Sequence, residues 1–321
     1  SYLSDYRQES LHRASIPRFG AIDRAASLLV AGTYEDYPYP KWVNWEMPER
    51  GRREPWLSRF FEAGELEFLE RPFEMLVAGC GTGAKAISYA IGYGPQARIL
   101  AVDLSRASLA YAKRMALKYG VGHIEFLQMD LLDLPQLGRT FDMVECTGVL
   151  HHLENPLEGG KALAEVLREG GVAHLSLYSE LARREIVRLR KRHEDRIGSV
   201  TDDDVRRFRR RLMLDDPSSI DERLSLRWDF FDMNRCRDLL FHPQERRFTL
   251  PEAGRLLDEL GLEFRGLQKP EPVRSRYWTR FPPERDRRNI ARWNAFETAY
   301  PDAFGSLYEI WALKRDRKDR T

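Results

Sequence analysis

Cysteine is scarce in this chain. Its three residues, Cys80, Cys146 and Cys236, stand far apart and form no C-x-x-C pair. That spacing argues against a disulfide framework or a cysteine zinc cluster and suits a reducing cytoplasm. Long apolar runs are missing too: none approaches the ~20 residues a membrane span requires. No secretory leader is legible; with Ser at position 1 the chain is expected to be either a processed form or an excised piece, with anything upstream out of sight. Excess charge of one sign is also absent. Lys and Arg total 52 against 50 Asp and Glu, a formal net charge of +2. No global field therefore favours a nucleic acid or a membrane as partner. There is no internal repeat, no low-complexity segment and no metal-ligand spacing, so no metal is assigned. What is present is a 321-residue chain, 42% hydrophobic, enough for one large domain or two with a substantial core.

The chain is organised around EMLVAGCGTGAKAISYA, Glu74 to Ala90. The apolar run Met75 to Ala78 leads into Gly79-Cys80-Gly81-Thr82-Gly83 and then into a helix-compatible segment. A buried strand, a glycine turn and a helix start make a nucleotide-binding corner. Glycines allow the tight turn and a close ligand approach, and the new helix offers unpaired N–H groups. The corner alone fits three readings. Gly79, Gly81 and Ala84 satisfy the dinucleotide pattern G-x-G-x-x-G/A. Gly79, Gly81 and Gly83 satisfy the G-x-G-x-G pattern of S-adenosylmethionine (SAM) enzymes, and a purely structural turn is the third.

The surrounding pattern predicts alternating strands and helices. Strands are expected at Arg98–Val102, His123–Gln128, Phe141–Cys146, Val172–Tyr178, Leu262–Leu267 and Leu307–Leu313, with helices between them. This rhythm indicates βαβ units and a parallel sheet. Asp103 ends the second strand, where a carboxylate can accept from both ribose hydroxyls of an adenosine. Ser105 is expected to cap the helix Arg106–Tyr119, and Gly170-Gly171 to end the helix Asn155–Glu169.

Three segments break the rhythm: 1–70, 179–248 and 271–303. The division expected is a helical arm or lid at 1–70, a Rossmann-like core at 71–178, a helical cap at 179–248, and the rest of the core at 249–314 with its own insertion at 271–303. Helices are predicted at Ser4–Ser15, Ile22–Val30, Glu180–Arg196, Thr201–Met213 and Pro251–Leu260. The run YEDYPYPKWVNWEMP, Tyr34 to Pro48, cannot be a regular helix around its prolines. Its Tyr37, Tyr39, Trp42 and Trp45 either pin an irregular arm or serve as a lid over a ligand. The Arg cluster Arg206–Arg211 follows Asp202–Asp204 in the order a helix dipole favours, which reads as a solvated face.

Five motifs appear in one order: VAGCGTG (Val77–Gly83), VDLS (Val102–Ser105), MDLLDLP (Met129–Pro135), FDMVECTGVLHHLENP (Phe141–Pro156) and LREGGVAHLSLYSE (Leu167–Glu180). As a set, with a terminal seventh strand, they resemble the class I SAM-dependent methyltransferases. The resemblance covers about a third of the chain. It implies a Rossmann-like, mostly parallel seven-stranded α/β sheet with helices on both faces and an antiparallel last strand. It implies SAM as cofactor, S-adenosylhomocysteine as product, and a cofactor-binding set of Gly79, Gly81, Gly83, Asp103, Leu104, Asp130, Leu131, Cys146 and Thr147. Asp130 would meet the adenine amino group. DLLFHPQERRFTLPE (Asp238–Glu252), YSELARR (Tyr178–Arg184) and YPYPKW (Tyr37–Trp42) also resemble bacterial methyltransferase domains often fused behind tetratricopeptide repeats.

Methyl transfer from a sulfonium is an in-line displacement. It needs positioning, exclusion of water and, for some acceptors, a base. His151 and His242 are the candidate catalytic residues, because imidazole accepts protons near neutral pH. Tyr39, Trp42, Tyr178, Glu180 and His152 are candidates for substrate or lid contacts. The expected acceptor is an O or N nucleophile of a small metabolite, with a protein or peptide acceptor as the alternative. An NAD(P)-linked oxidoreductase and a non-catalytic SAM-binding scaffold are the remote ones.

Overall fold

The computed structural model describes residues 2–39, 42, 48–49, 55–191, 201–214, 228–282 and 288–315. Trp45 lies outside them. The chain opens with helices α1 (Tyr2–Ser15) and α2 (Ala25–Asp36). The core follows as β1 (Phe73–Ala78), α3 (Ala84–Tyr93), β2 (Ala97–Asp103), α4 (Arg106–Lys118), β3 (Ile124–Gln128), β4 (Phe141–Cys146), α5 (Pro156–Val166) and β5 (Leu167–Ser179). Then come α6 (Arg184–Lys191), α7 (Asp202–Leu214) and a helix Met233–Phe241. The two-residue strand β6 (Arg247–Phe248), a helix Leu250–Glu259, β7 (Leu262–Leu267), helices Glu271–Arg280 and Ile290–Ala299, and β8 (Leu307–Lys314) complete the chain.

The strands form one sheet in the order β3-β2-β1-β4-β5-β8-β7, with β6 paired to β5. Pairings from β3 through β5 are parallel, while β8 runs antiparallel to β5 and β7. The seven strands expected are all present, and β6 is the addition. The strand order reverses between β1 and β4, so the crevice at their carboxyl ends is where such a sheet takes a ligand. Strands buried on both faces need apolar residues at every position. β1 shows it: Leu76 and Ala78 enter one core cluster, while Met75 and Val77 enter the other.

Two local expectations need correction. α5 stops at Val166, and Gly170-Gly171 lie inside β5, where the pairing register shifts between Phe141 and Met143. Gly170 takes φ 67°, a conformation that lets the strand bulge rather than the helix end. α6 (Arg184–Lys191) starts four residues later than the helix expected from Glu180, and residues 192–196 of that expectation lie outside the described residues. Ser179 Oγ accepts from the Ala182 N–H at 2.9 Å, holding residues 180–183 in a turn before the helix starts.

The segments outside the core occupy four places. Residues 17–19 run beside β3, with Gln128 N–H donating to Pro17 O at 3.0 Å and Phe19 N–H to Gln128 O at 2.9 Å. From that edge α2 crosses the carboxyl ends of β2 and β3. Residues 55–70 instead join the cluster of Phe73, Met75 and Trp311, through buried Leu57, Phe60, Phe61 and Phe68. Residues 179–248 begin and end at the carboxyl end of β5, through the β5–β6 pairing at Tyr178 and Ser179. The 271–303 helices pack through Tyr277, Trp293 and Phe296 onto the cluster that includes Leu256 and Leu257.

Candidate active site

The glycine corner is a steric necessity. Gly79, Gly81 and Gly83 all have positive φ, 65°, 50° and 85°. A Cβ on Gly79 would sit 2.2 Å from Val149 Cγ2, and one on Gly83 would sit 2.6 Å from Ala112 Cβ. The corner is thus pressed between the loop after β4 and α4. Above it, the Thr82 N–H donates to Tyr39 O at 3.3 Å, and the Trp42 indole donates to Thr82 Oγ1 at 3.1 Å. Trp42 lies over Tyr119 at 5.9 Å between ring centroids. The two expected lid residues therefore close on the glycine turn itself.

Asp103 closes the corner from β2. Its Oδ2 accepts from the Gly81 N–H at 2.7 Å and its Oδ1 from the Ser105 N–H at 2.8 Å. The Leu104 N–H is also directed at this carboxylate, which retains acceptor capacity for a ribose hydroxyl. Burial raises the Asp103 pKa to about 6, against the opposing pull of the Ser105 and Gly81 N–H groups. Glu35 of α2 adds to the rise. It sits at the N-terminus of α4, accepting from Ser105 Oγ and the Ala107 N–H, both at 3.0 Å. The Leu104 carbonyl accepts from the Gln128 amide at 2.9 Å, which fixes the turn between Asp103 and α4.

Asp130 has partners that the motif does not reveal. It is buried, and its Oδ2 accepts from Arg24 at 2.9 Å and from Ser27 Oγ at 2.6 Å. Its Oδ1 accepts from the Leu132 N–H at 3.0 Å and keeps one lone pair. Arg24 also reaches Asp133 at 2.7 Å. Buried Leu131 starts the 3-10 turn at this point. Cys146 packs its side chain into the apolar core, leaving only its backbone to meet a cofactor. Burial and then Glu145 push its thiol up. The Thr147 hydroxyl is turned to Glu145, which also accepts from His174 at 2.6 Å and Tyr89 at 2.7 Å.

At the ends of β4 and β5 three imidazoles stand in a row. His151 is fully buried and stacks on Tyr178 at 3.7 Å. Apart from an approach to the Ser176 backbone, neither of its ring nitrogens has a hydrogen-bond partner among the described residues. His152 lies 4.4 Å from it, and His242 a further 3.6 Å from His152, between ring centroids. Burial lowers all three, with His152 held at about 4 and His242 at about 3. At neutral pH they are free imidazoles, acceptors rather than cations. His151 and His242, far apart in sequence, thus share one cluster with Tyr178. Glu180 does not join it: its side chain is exposed, and its backbone N–H donates to Phe248 O at 2.9 Å.

The cluster is roofed from two directions. Tyr34 of α2 donates to Asp238 at 2.7 Å, Asn234 donates to Pro38 O at 3.3 Å, and the Arg237 guanidinium lies 4.1 Å over the Tyr37 ring. The cap is fastened beneath by buried Glu245, which pairs with Arg183 at 2.8 Å and Arg190 at 2.6 Å. Arg24, Ser27, Tyr34, Glu35, Asp238 and Glu245 all escaped the sequence reading. Their only local signal is the Asp238–His242 spacing of one helical turn.

The residues fit SAM. The corner admits no Cβ at Gly79 or Gly83, Asp103 keeps acceptor capacity for a ribose hydroxyl, and Asp130 keeps one site for an amino group. Comparison with known proteins agrees. Residues 75–171 match the family model described as a methyltransferase domain. An uncharacterised protein of Synechococcus sp. is 32% identical over 268 residues, 80% of this chain and 63% of the relative. The chain therefore spans less than two thirds of that relative's length. A mitochondrial ubiquinone biosynthesis O-methyltransferase of Schizosaccharomyces pombe is 28% identical over 246 residues, 71% of this chain and 82% of the relative. The fold is similar to that of PKMT2 from Rickettsia typhi in complex with AdoHcy, with a TM-score of 0.56 at 15% identity over 87% of this chain and 55% of that one. A glycine corner closed by Asp103, the β3-β2-β1-β4-β5-β8-β7 sheet and the matched family model together identify residues 75–171 as a methyltransferase domain of the class I, SAM-binding fold.

Proposed function

We propose that the chain transfers the methyl group of SAM to an O or N nucleophile of a small metabolite, and that the acceptor lies against His151 and Tyr178. The observation that carries this reading is the His151 ring. It is fully buried at the carboxyl ends of β4 and β5, and apart from an approach to the Ser176 backbone its nitrogens have no partner among the described residues. An unpaired buried polar group is costly unless a ligand completes it.

SAM supplies an electrophilic methyl on a sulfonium that leaves as a neutral thioether. The chain's own residues then do three things. Gly79, Gly81, Gly83, Asp103 and Asp130 hold the cofactor, with Thr147 and the backbones of Leu104, Leu131 and Cys146 around it. Tyr39, Trp42, Tyr34 and the 233–242 segment exclude water. His151 orients the acceptor by accepting its O–H or N–H, with His242 and His152 behind it. Positioning of this kind is worth up to roughly 7–11 kcal/mol in favourable cases. The roof that joins α2 to the cap favours an enclosed acceptor over a peptide lying in an open groove.

The test is calorimetry followed by turnover. SAM and S-adenosylhomocysteine should bind and NAD should not. His151→Asn should retain SAM affinity and lose single-turnover rate on the best of a panel of small phenols, hydroxy acids and amines. Turnover on peptides alone would transfer the acceptor to the protein class. An unchanged rate in His151→Asn would remove this histidine from the site.

A further inference from the structure

We propose that His152, Asp238 and His242 form a binding site for one divalent transition-metal ion of the zinc–cobalt–iron class. The three residues come from the turn after β4, from the helix Met233–Phe241 and from its C-cap. All three are buried, and each offers one ligand atom within 4.8 Å of the others.

The hydrogen bonds around the rings decide which atoms face the site. The Gln244 carbonyl is 2.8 Å from His152 Nδ1 and 2.5 Å from His242 Nδ1. A carbonyl oxygen only accepts, so both Nδ1 atoms carry the proton and donate to it. The longer approach of the Gln244 N–H to His242 Nδ1, 3.2 Å, is the contact given up. On both rings the lone pair is then on Nε2. His242 Nε2 is buried and has no hydrogen-bond partner among the described residues. Two imidazoles whose Nδ1–H groups are fixed by a backbone carbonyl have the second-shell arrangement typical of metal-binding histidines. The carboxylate has such support as well, since Asp238 Oδ1 accepts from Tyr34 at 2.7 Å.

Two nitrogens and one carboxylate oxygen suit zinc, cobalt, iron or nickel better than the oxygen-seeking calcium and magnesium. Three protein ligands leave a coordination position open for water or another oxygen. The ion would also join the turn after β4 to the cap, and through Tyr34 to α2. This site needs no assumption about methyl transfer and stands or falls separately from it.

The experiment titrates the chelator-treated full chain with Co²⁺, read by visible absorption, and with Zn²⁺, read by calorimetry. The expected result is about one ion per chain, with the intense visible bands of a low-coordinate Co²⁺ site. His152→Ala, His242→Ala and Asp238→Asn should each weaken binding upward of about 100-fold, since loss of a second-shell group alone costs 10–100-fold. Near-UV circular dichroism confirms that each variant is folded. No stoichiometric Co²⁺ or Zn²⁺ binding by the parental chain would overturn the proposal. So would equal affinity in the three folded variants.

Discussion

Tyr34 and Asp238 join the N-terminal arm to the cap: the phenol of α2 donates to a carboxylate more than two hundred residues later at 2.7 Å. Burial, and then the Asp238 charge, raise the Tyr34 pKa well above its usual value, so this phenol stays protonated and remains a donor. Tyr34→Phe removes the donor and leaves a carboxylate with one partner fewer. The expected cost is about 1–3 kcal/mol. Urea unfolding should show it, together with faster proteolysis between α2 and β1.

Asp103 predicts a pH dependence of cofactor affinity. Its folded pKa is raised to about 6, and in the proposed site its carboxylate would accept from the ribose. Protonation removes acceptor capacity, so SAM affinity should be full above pH 6 and fall as pH drops through that value. The limiting slope is one proton per SAM bound. Asp103→Asn should bind SAM weakly at every pH, with the slope abolished. Calorimetry across pH 5–8 measures both, and a flat parental profile would refute the assignment.

Gly79 predicts a partial rescue. Gly79→Ala adds a Cβ 2.2 Å from Val149 Cγ2 at a backbone φ of 65°. Strain and overpacking together should cost roughly 2–6 kcal/mol, with SAM binding lost. Val149→Ala in the same chain removes the clash and leaves the φ strain. The double variant should therefore recover part of the stability and not all of it, as read by thermal unfolding.

Glu245 predicts an acid limit. Burial would raise its pKa, but Arg183 and then Arg190 outweigh that and hold it below its ordinary 4.5. A depressed carboxylate contributes stability that is present above pH 4.5 and lost as pH falls through the folded value. Glu245→Gln leaves Arg183 and Arg190 without their carboxylate and should cost roughly 3–5 kcal/mol at pH 7. The variant should also lose part of the parental dependence of stability on pH below 4.5, measured by urea midpoints.

The sequence by itself determined the sheet and the cofactor corner. Strands buried on both faces write continuous apolar runs such as Met75–Ala78, and a turn that excludes every Cβ writes glycine at 79 and 83. The acidic residue proposed for the ribose stands where β2 ends, twenty residues past Gly83, so Asp103 could be singled out from the strand end and that spacing. These are short-range demands, and local sequence carries them. The end of α5 was not legible, because Gly170-Gly171 serves equally as a helix stop and as a bulge, and pairing with β4 chose the bulge.

Only the tertiary structure decided what surrounds that corner. Asp130 carries its motif, yet its Arg24 and Ser27 partners come from a helix whose position no spacing reveals. His151, His152 and His242 were visible as residue types; that their rings meet in one cluster with Tyr178 depends on how the cap returns to β5 through β6. The division of residues 1–70, with 17–39 at the carboxyl ends and 55–70 against Trp311, was equally hidden. Such contacts follow from burial and charge pairing between segments hundreds of residues apart. Those energies belong to the folded arrangement and leave no period in the chain.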